Sequence, residues 1–329
     1  MSLNVLFVGG TGQISLPCVE RAVAAGHRAS VFNRGRVGAP LPAGVAMIVG
    51  DMGDAAAYAD LGRTAYDVVC QFMAFTPEQM ARDIATFAGR TGQYIFISSA
   101  SVYEKPARHY VITEKTPTVN PYWEYSQRKI ACEALLKAQT TLPWTIVRPS
   151  HTVRTGLPTM LNEGDIVGHR MLAGRPVIVC GDGTSPWTLT RSADFAVPFV
   201  GLFGKPGALG EDFHITSDRG YNWDAIYAAI ATALGVEADI VHVPTDTLVR
   251  YHPAWEGPLT GDKTRATLFD NSKVKQVAGP FRCSEVIDEV IAESIAHFRA
   301  RLKAKGPQAG ELDPLIDRIA REQSALGRH

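Results

Sequence analysis

The stretch Leu3-Asn4-Val5-Leu6-Phe7-Val8-Gly9-Gly10-Thr11-Gly12-Gln13-Ile14-Ser15 decides how the rest of the chain reads. Residues 3–8 are a nearly continuous apolar run, the pattern of a strand buried on both faces. The run breaks into glycines, and residues 14–25 then carry helical spacing until Gly26-His27 stops it. Strand, glycine turn and helix in that order form the setting a dinucleotide fingerprint requires. Gly9 permits the tight turn, and Gly12 lets the backbone approach a pyrophosphate. Free N–H groups at the helix start then bind the anion, with Thr11, Gln13 and Ile14 completing the loop. Ser15 stands at the third small position in place of glycine and is still small enough for the helix to pack on the strand.

Outward from this turn the chain keeps alternating. Strands are expected at 28–32, 45–49, 67–72, 93–97 and 144–147, with helices at 77–89 and 122–139. Six strands separated by helices predict an α/β fold built on a doubly wound parallel sheet of the Rossmann type. After Pro149 the rhythm loosens. Helices are expected at 159–173, 192–203, 222–234, 283–303 and 312–324, and short strands at 176–179, 213–215 and 240–243. The division expected is a dinucleotide-binding domain over 1–150, receiving about 188–215 as well, and a smaller α/β, mainly substrate-binding domain over 151–329.

Composition limits the function classes. The 329 residues are 46% apolar and 20% charged, which excludes a disordered or fibrous chain. Lys plus Arg equals Asp plus Glu at 33 each, so no global basic footprint for nucleic acid exists. No apolar run approaches the roughly 20 residues of a membrane helix, and the immediate start into a strand gives no signal-peptide pattern. Five cysteines without a CxxC pair point to a reduced, cytoplasmic protein. Nine histidines without HxxxH or HExxH spacing give no metal site.

The end of the second strand bears on the cofactor. An NAD site places Asp or Glu about 20 residues after the glycines, to bond the ribose 2′-OH. No acidic residue lies between Glu20 and Asp51, and the strand runs into Asn33-Arg34-Gly35-Arg36. A guanidinium there would clamp a 2′-phosphate, so NADP is expected first and NAD second. Asp51, with Met52 beside it, follows the third strand and is placed to meet the adenine. Farther on, Tyr125 and Lys129 stand four apart on one helix and face the same way. An ammonium beside a phenol lowers its pKa, and such a Tyr serves as acid or base to a carbinol or carbonyl oxygen. Ser99 follows the fifth strand, at the sheet edge where ligands bind, and its hydroxyl can hold the same oxygen.

With these residues in view, the chain resembles the extended short-chain dehydrogenases/reductases, the group that includes NAD-dependent epimerases and dehydratases. The resemblance rests on the glycine loop, on Ser98-Ser99-Ala100-Ser101-Val102-Tyr103, on Tyr125-Ser126-Gln127-Arg128-Lys129, and on Arg148-Pro149-Ser150. Gly181-Asp182-Gly183 and Asp270-Asn271-Ser272-Lys273 match later landmarks of the group. It implies a catalytic Ser99, Tyr125 and Lys129, with Lys129 also bonding the nicotinamide ribose. It implies that Gln71, Phe72 and Met73 line the cofactor, that Pro149 to His151 pass near the nicotinamide, and that the protein is a homodimer. Hydride transfer at a carbinol or ketone carbon is the activity implied.

Departures from the sugar-nucleotide members narrow the substrate. Where those enzymes usually supply Arg to a diphosphate, this chain has Trp187 and Leu259, and His151 replaces a usual Asn. Lys263, Arg265, Arg154 and Arg191 are the candidates to replace the missing charges. Trp187, Trp123, Tyr103 and His151 instead favour a small carbonyl, aromatic or sugar-like ligand. Ala100-Ser101 stand where a dehydratase carries Asp-Glu, which disfavours dehydration. The competing readings are a sugar-nucleotide epimerase with replaced contacts and a non-catalytic, RNA-binding relative of the chloroplast stem-loop-binding kind. The retained Ser, Tyr and Lys and the neutral charge favour the enzyme, and neither a nucleic-acid nor a membrane partner is expected.

Overall fold

Seven strands form one parallel sheet in the computed structural model, which describes residues 2–35 and 40–326. They are β1 (Asn4–Val8), β2 (Arg28–Asn33), β3 (Ala46–Val49), β4 (Tyr66–Gln71), β5 (Thr91–Ile97), β6 (Trp144–Pro149) and β7 (Glu211–Ile215). Their spatial order is β7-β6-β5-β4-β1-β2-β3. Register follows the pleat. In β1, Val5 and Phe7 enter one core, whereas Leu6 and Val8 enter another. In β5, Ile95 and Ile97 join the first core, and Tyr94 and Phe96 the second. Both faces are therefore apolar, which is why the strands read as continuous hydrophobic runs.

Helices cover each face. The first core takes Cys18, Val19 and Ala22 from α1 (Ser15–Ala24). Met80 and Phe87 of α2 (Pro77–Phe87) and Cys132 and Leu136 of α3 (Glu124–Ala138) fill the second. Helix α2 starts where its sequence dictates: Thr76 and Gln79 form a capping box, and Pro77 occupies the first turn. Beyond β6 come α4 (Asp165–Leu172) and α5 (Ser192–Gly201), and Phe195 and Phe199 of α5 return to the first core. Strand β7 then pairs with β6. A third core lies wholly beyond residue 150. It joins α4, α6 (Trp223–Leu234), α7 (Ile287–Lys305) and α8 (Asp313–Leu326) around the parallel pair Val177–Cys180 and Ile240–Val243.

Two expected helices differ from those observed. The one over 159–173 shrinks to α4, because Asn162 at φ +63° and Gly164 at φ +57° adopt left-handed backbone that a helix cannot continue. The one over 283–303 starts only at Ile287 and runs on to Lys305. The sheet order reverses between β1 and β4, and ligands of such sheets bind beyond the carboxyl ends at that point.

Candidate active site

At the reversal point a cavity of about 680 Å3 opens. Its wall is the glycine loop after β1, Asn33, Arg34 and Gly35 after β2, residues 50–53 after β3, and Phe72, Met73 and Phe75 after β4. Gly9 has φ +84°, and a Cβ there would sit 2.4 Å from Met73 Cγ. Both the backbone and the close approach of Met73 demand glycine. Ser15 does more than stay small: its Oγ accepts the Gly12 N–H at 2.9 Å. The N–H groups of Gln13 and Ile14 have no protein acceptor among the described residues, and both residues line the cavity. Two free donors at a helix start facing a long cavity fit a dinucleotide diphosphate. Asp51 lines the same cavity while accepting the Gly53 N–H at 2.8 Å.

A second cavity of about 240 Å3 brings together Ser99, Tyr125, Pro149, His151 and Trp187, with Trp123 and Phe269 beside them. Ser99 Oγ lies 2.9 Å from Ser101 Oγ, which accepts a hydrogen bond from Ser126 Oγ at 2.8 Å. Burial pushes the Tyr125 phenol up. The Ser99 hydroxyl pulls it down, and the Asp262 carboxylate adds to the rise. This differs from the depressed phenol expected from the Tyr–Lys spacing. Lys129 Nζ donates to the carbonyls of Ala74 at 2.7 Å and Ile97 at 2.8 Å, and lies 6.0 Å from the Tyr125 ring centre. The rings of Phe75 and Phe96 pack over this ammonium, and burial brings Lys129 down to about 8.

The formally charged side chains of this cavity come from a segment near the expected second diphosphate position. The irregular turn Leu259–Lys263 supplies Asp262 and Lys263. Lys263 Nζ donates to Thr159 O at 2.7 Å and to Asn162 Oδ1, and burial lowers it to about 8. Asp262 sits 3.3 Å from Lys105 Nζ, and burial raises its carboxyl. His151 Nδ1 accepts the indole N–H of Trp187 at 3.0 Å. An indole only donates, so the His151 proton is on Nε2. Burial and the nearby Lys263 push His151 down to about 3, so it stays neutral.

Several expected site residues lie elsewhere. The Tyr103 side chain is fully buried away from the second cavity, a correction to its expected substrate role. Its hydroxyl meets His214 Nδ1 at 3.1 Å and accepts from Arg148 at 3.1 Å, because a buried guanidinium needs acceptors beyond Glu133 and Asp212. The Gln71 side chain turns from the cofactor cavity into a buried cluster. It donates to Tyr58 Oη at 2.9 Å and Asp83 Oδ2 at 2.7 Å, and its oxygen holds the Met73 N–H at 2.6 Å. Arg36 lies outside the described residues. Thr11, Asn33, Arg34 and Met52 line the first cavity as expected positions. Leu259 is buried in the C-terminal core. Of the candidate replacement charges, Lys263 reaches the second cavity, Arg191 faces Asp194, and Arg154 turns to the glycine loop.

Comparison with known proteins agrees with this geometry. Residues 9–163 match the NAD(P)H-binding family model. The chain is 27% identical over 252 residues to 2′-dehydrokanamycin reductase of Streptomyces kanamyceticus, covering 74% of this chain and 70% of that protein. It is 28% identical over 255 residues to the chloroplast stem-loop binding protein of 41 kDa b of Arabidopsis thaliana, covering 73% of this chain and 65% of that one. The fold is shared with a UDP-glucose 4-epimerase solved with UDP-glucose from Thermotoga maritima. That match has a TM-score of 0.71 at 18% identity and covers 91% of this chain and 99% of the other.

Proposed function

We propose that residues 9–163, which match an NAD(P)H-binding family model, form a cofactor domain of the short-chain dehydrogenase/reductase and epimerase type, and that this protein is an NAD(P)-dependent reductase of a ketone on a small, hydroxyl-bearing ring. The carrying observation is the shared cavity that brings Ser99 and Tyr125 together, where burial raises the phenol further above its ordinary value. A protonated phenol is an acid, and an acid is what carbonyl reduction needs.

Nicotinamide supplies the hydride when bound. Ser99, placed by Ser101, donates a hydrogen bond to the substrate carbonyl oxygen. Tyr125 gives its proton to that oxygen as negative charge grows on it. Lys129, one helical turn away and charged below about pH 8, stabilises the phenolate left behind. Gln13 and Ile14 hold the diphosphate through their free N–H groups, and Arg34 clamps a 2′-phosphate, which favours NADP over NAD. The Trp123 and Trp187 rings and the His151 Nε2–H hold the substrate ring.

Size argues for a single ring. The second cavity, at about 240 Å3, is smaller than the roughly 300–1,000 Å3 of pockets for larger ligands. A nucleotide sugar needs partners for its diphosphate; Trp187 and Leu259 offer no charge, which leaves Lys263 as the one Lys or Arg lining this cavity among the described residues. The relative named as a reductase agrees with the direction proposed. The stem-loop-binding relative keeps an RNA-binding role in view. The balanced charge and the assembled hydroxyl pair weigh against that role here. The test is a screen of keto-sugars and keto-cyclitols against nucleotide sugars, with NADPH and with NADH. Reduction of a free keto-sugar or keto-cyclitol supports the reading. Micromolar affinity for a nucleotide sugar without net redox would replace it with epimerisation.

A further inference from the structure

The glycine loop is held from behind by a residue about 140 positions further along the chain. Arg154 follows the short strand His151–Val153, and its side chain is almost fully buried. Its Nε donates to Gln13 O at 3.0 Å and its Nη2 to Gly12 O at 3.1 Å. The Gln13 side chain braces the same contact: its Nε2 donates to Thr152 O at 2.6 Å, and its oxygen accepts from Thr155 Oγ1 at 2.9 Å.

In a planar trans peptide the C=O and N–H point in opposite directions. Pinning the Gly12 carbonyl therefore turns the Gln13 N–H away from Arg154. Pinning the Gln13 carbonyl does the same for the Ile14 N–H. Both residues line the cofactor cavity, and neither N–H has a protein acceptor among the described residues. The guanidinium also places a positive charge behind two dipoles that already point their positive ends at the cavity.

We propose that Arg154 is a positioning residue for the cofactor diphosphate: it holds the peptide units between Gly12 and Ile14 with both N–H groups presented to the anion. The inference rests on the first cavity being the dinucleotide site. It makes the phosphate-binding loop depend on a side chain far away in the sequence, just after residue 150. That segment also carries His151 into the substrate cavity.

The test compares two probes in the full-length protein by calorimetry and competition: ADP-ribose, which carries the diphosphate, and adenosine, which does not. In Arg154→Met the Kd for ADP-ribose should rise about tenfold or more, the scale of two lost hydrogen bonds to a charged group. Adenosine affinity should stay within about twofold of wild type. Arg154→Lys should lose less ADP-ribose affinity than Arg154→Met, and it carries the same comparison if the Met variant does not fold. Equal weakening of both probes would mean a merely structural role, and no weakening of ADP-ribose would mean none; either result overturns the proposal. A wild-type protein that binds neither ADP-ribose nor NAD(P)H overturns the cofactor reading itself, and the inference falls with it.

Discussion

Raising the pH should switch the proposed reduction off through Lys129. The ammonium is enclosed by two carbonyls, at 2.7 and 2.8 Å, and by the rings of Phe75 and Phe96; among the described residues no carboxylate pairs with it directly, and Glu133 raises it less than burial lowers it. Burial therefore dominates and brings it from 10.5 to about 8. The working form is protonated, so activity is full below about pH 8 and is lost as pH rises through that value. At pH 9 about one tenth of the molecules retain the charge, so kcat/KM falls about tenfold per pH unit beyond. The Tyr125 phenol is pushed up from 10, so its own ionisation does not limit this window, and His151 near 3 stays neutral throughout. Lys263 is also brought to about 8 and lines the substrate cavity, so it must be separated from Lys129. The assay is kcat/KM between pH 6 and 10, with ketone and cofactor both below saturation so that the free enzyme's ionisations are read. Wild type and Lys263→Met should share the alkaline limb, and Lys129→Met should be slow and flat. A wild-type profile flat to pH 10, or a limb that survives Lys129→Met and disappears in Lys263→Met, would refute the reasoning.

Three further outcomes are expected. Tyr125→Phe should keep cofactor affinity, because the ring still packs beside Trp123, while turnover falls about 10²–10⁴-fold; near-wild-type turnover on the identified ketone removes Tyr125 from its role. Arg34→Ala should weaken NADPH about tenfold or more and leave NADH unchanged, on the scale of a lost charge-assisted bond; calorimetry showing tighter NADH in wild type, indifferent to the substitution, overturns the NADP preference. UDP-glucose should bind weakly or not at all, and Trp187→Arg alone should not rescue it, because Leu259 at the second position lies in the core and offers nothing to a diphosphate. A micromolar Kd in wild type contradicts this.

The residues that act through local pattern were legible in the sequence. The 3–15 stretch gave strand, turn and helix because burial on both faces forces a continuous apolar run and a positive φ forces glycine. Tyr125 and Lys129 were placed on one helix face by spacing alone. What only the tertiary structure decided is which side chains turn inward. Tyr103 belongs to the same short motif as Ser99, yet it packs against Arg148 and His214, since the chain bends after Ser99 into a short helical turn. Gln71 ends the right strand but pairs with Asp83, whose carboxyl burial raises to about 6 and which takes bonds from Tyr58, Tyr94 and Gln71. The phenol's raised pKa follows from burial and from Asp262, 137 positions away in sequence, so helical spacing could not carry its sign. Arg154 behind the glycine loop is of the same kind. Sequence fixes periodicity and backbone permission, which are local; desolvation and partner choice depend on what the fold brings within a few ångströms.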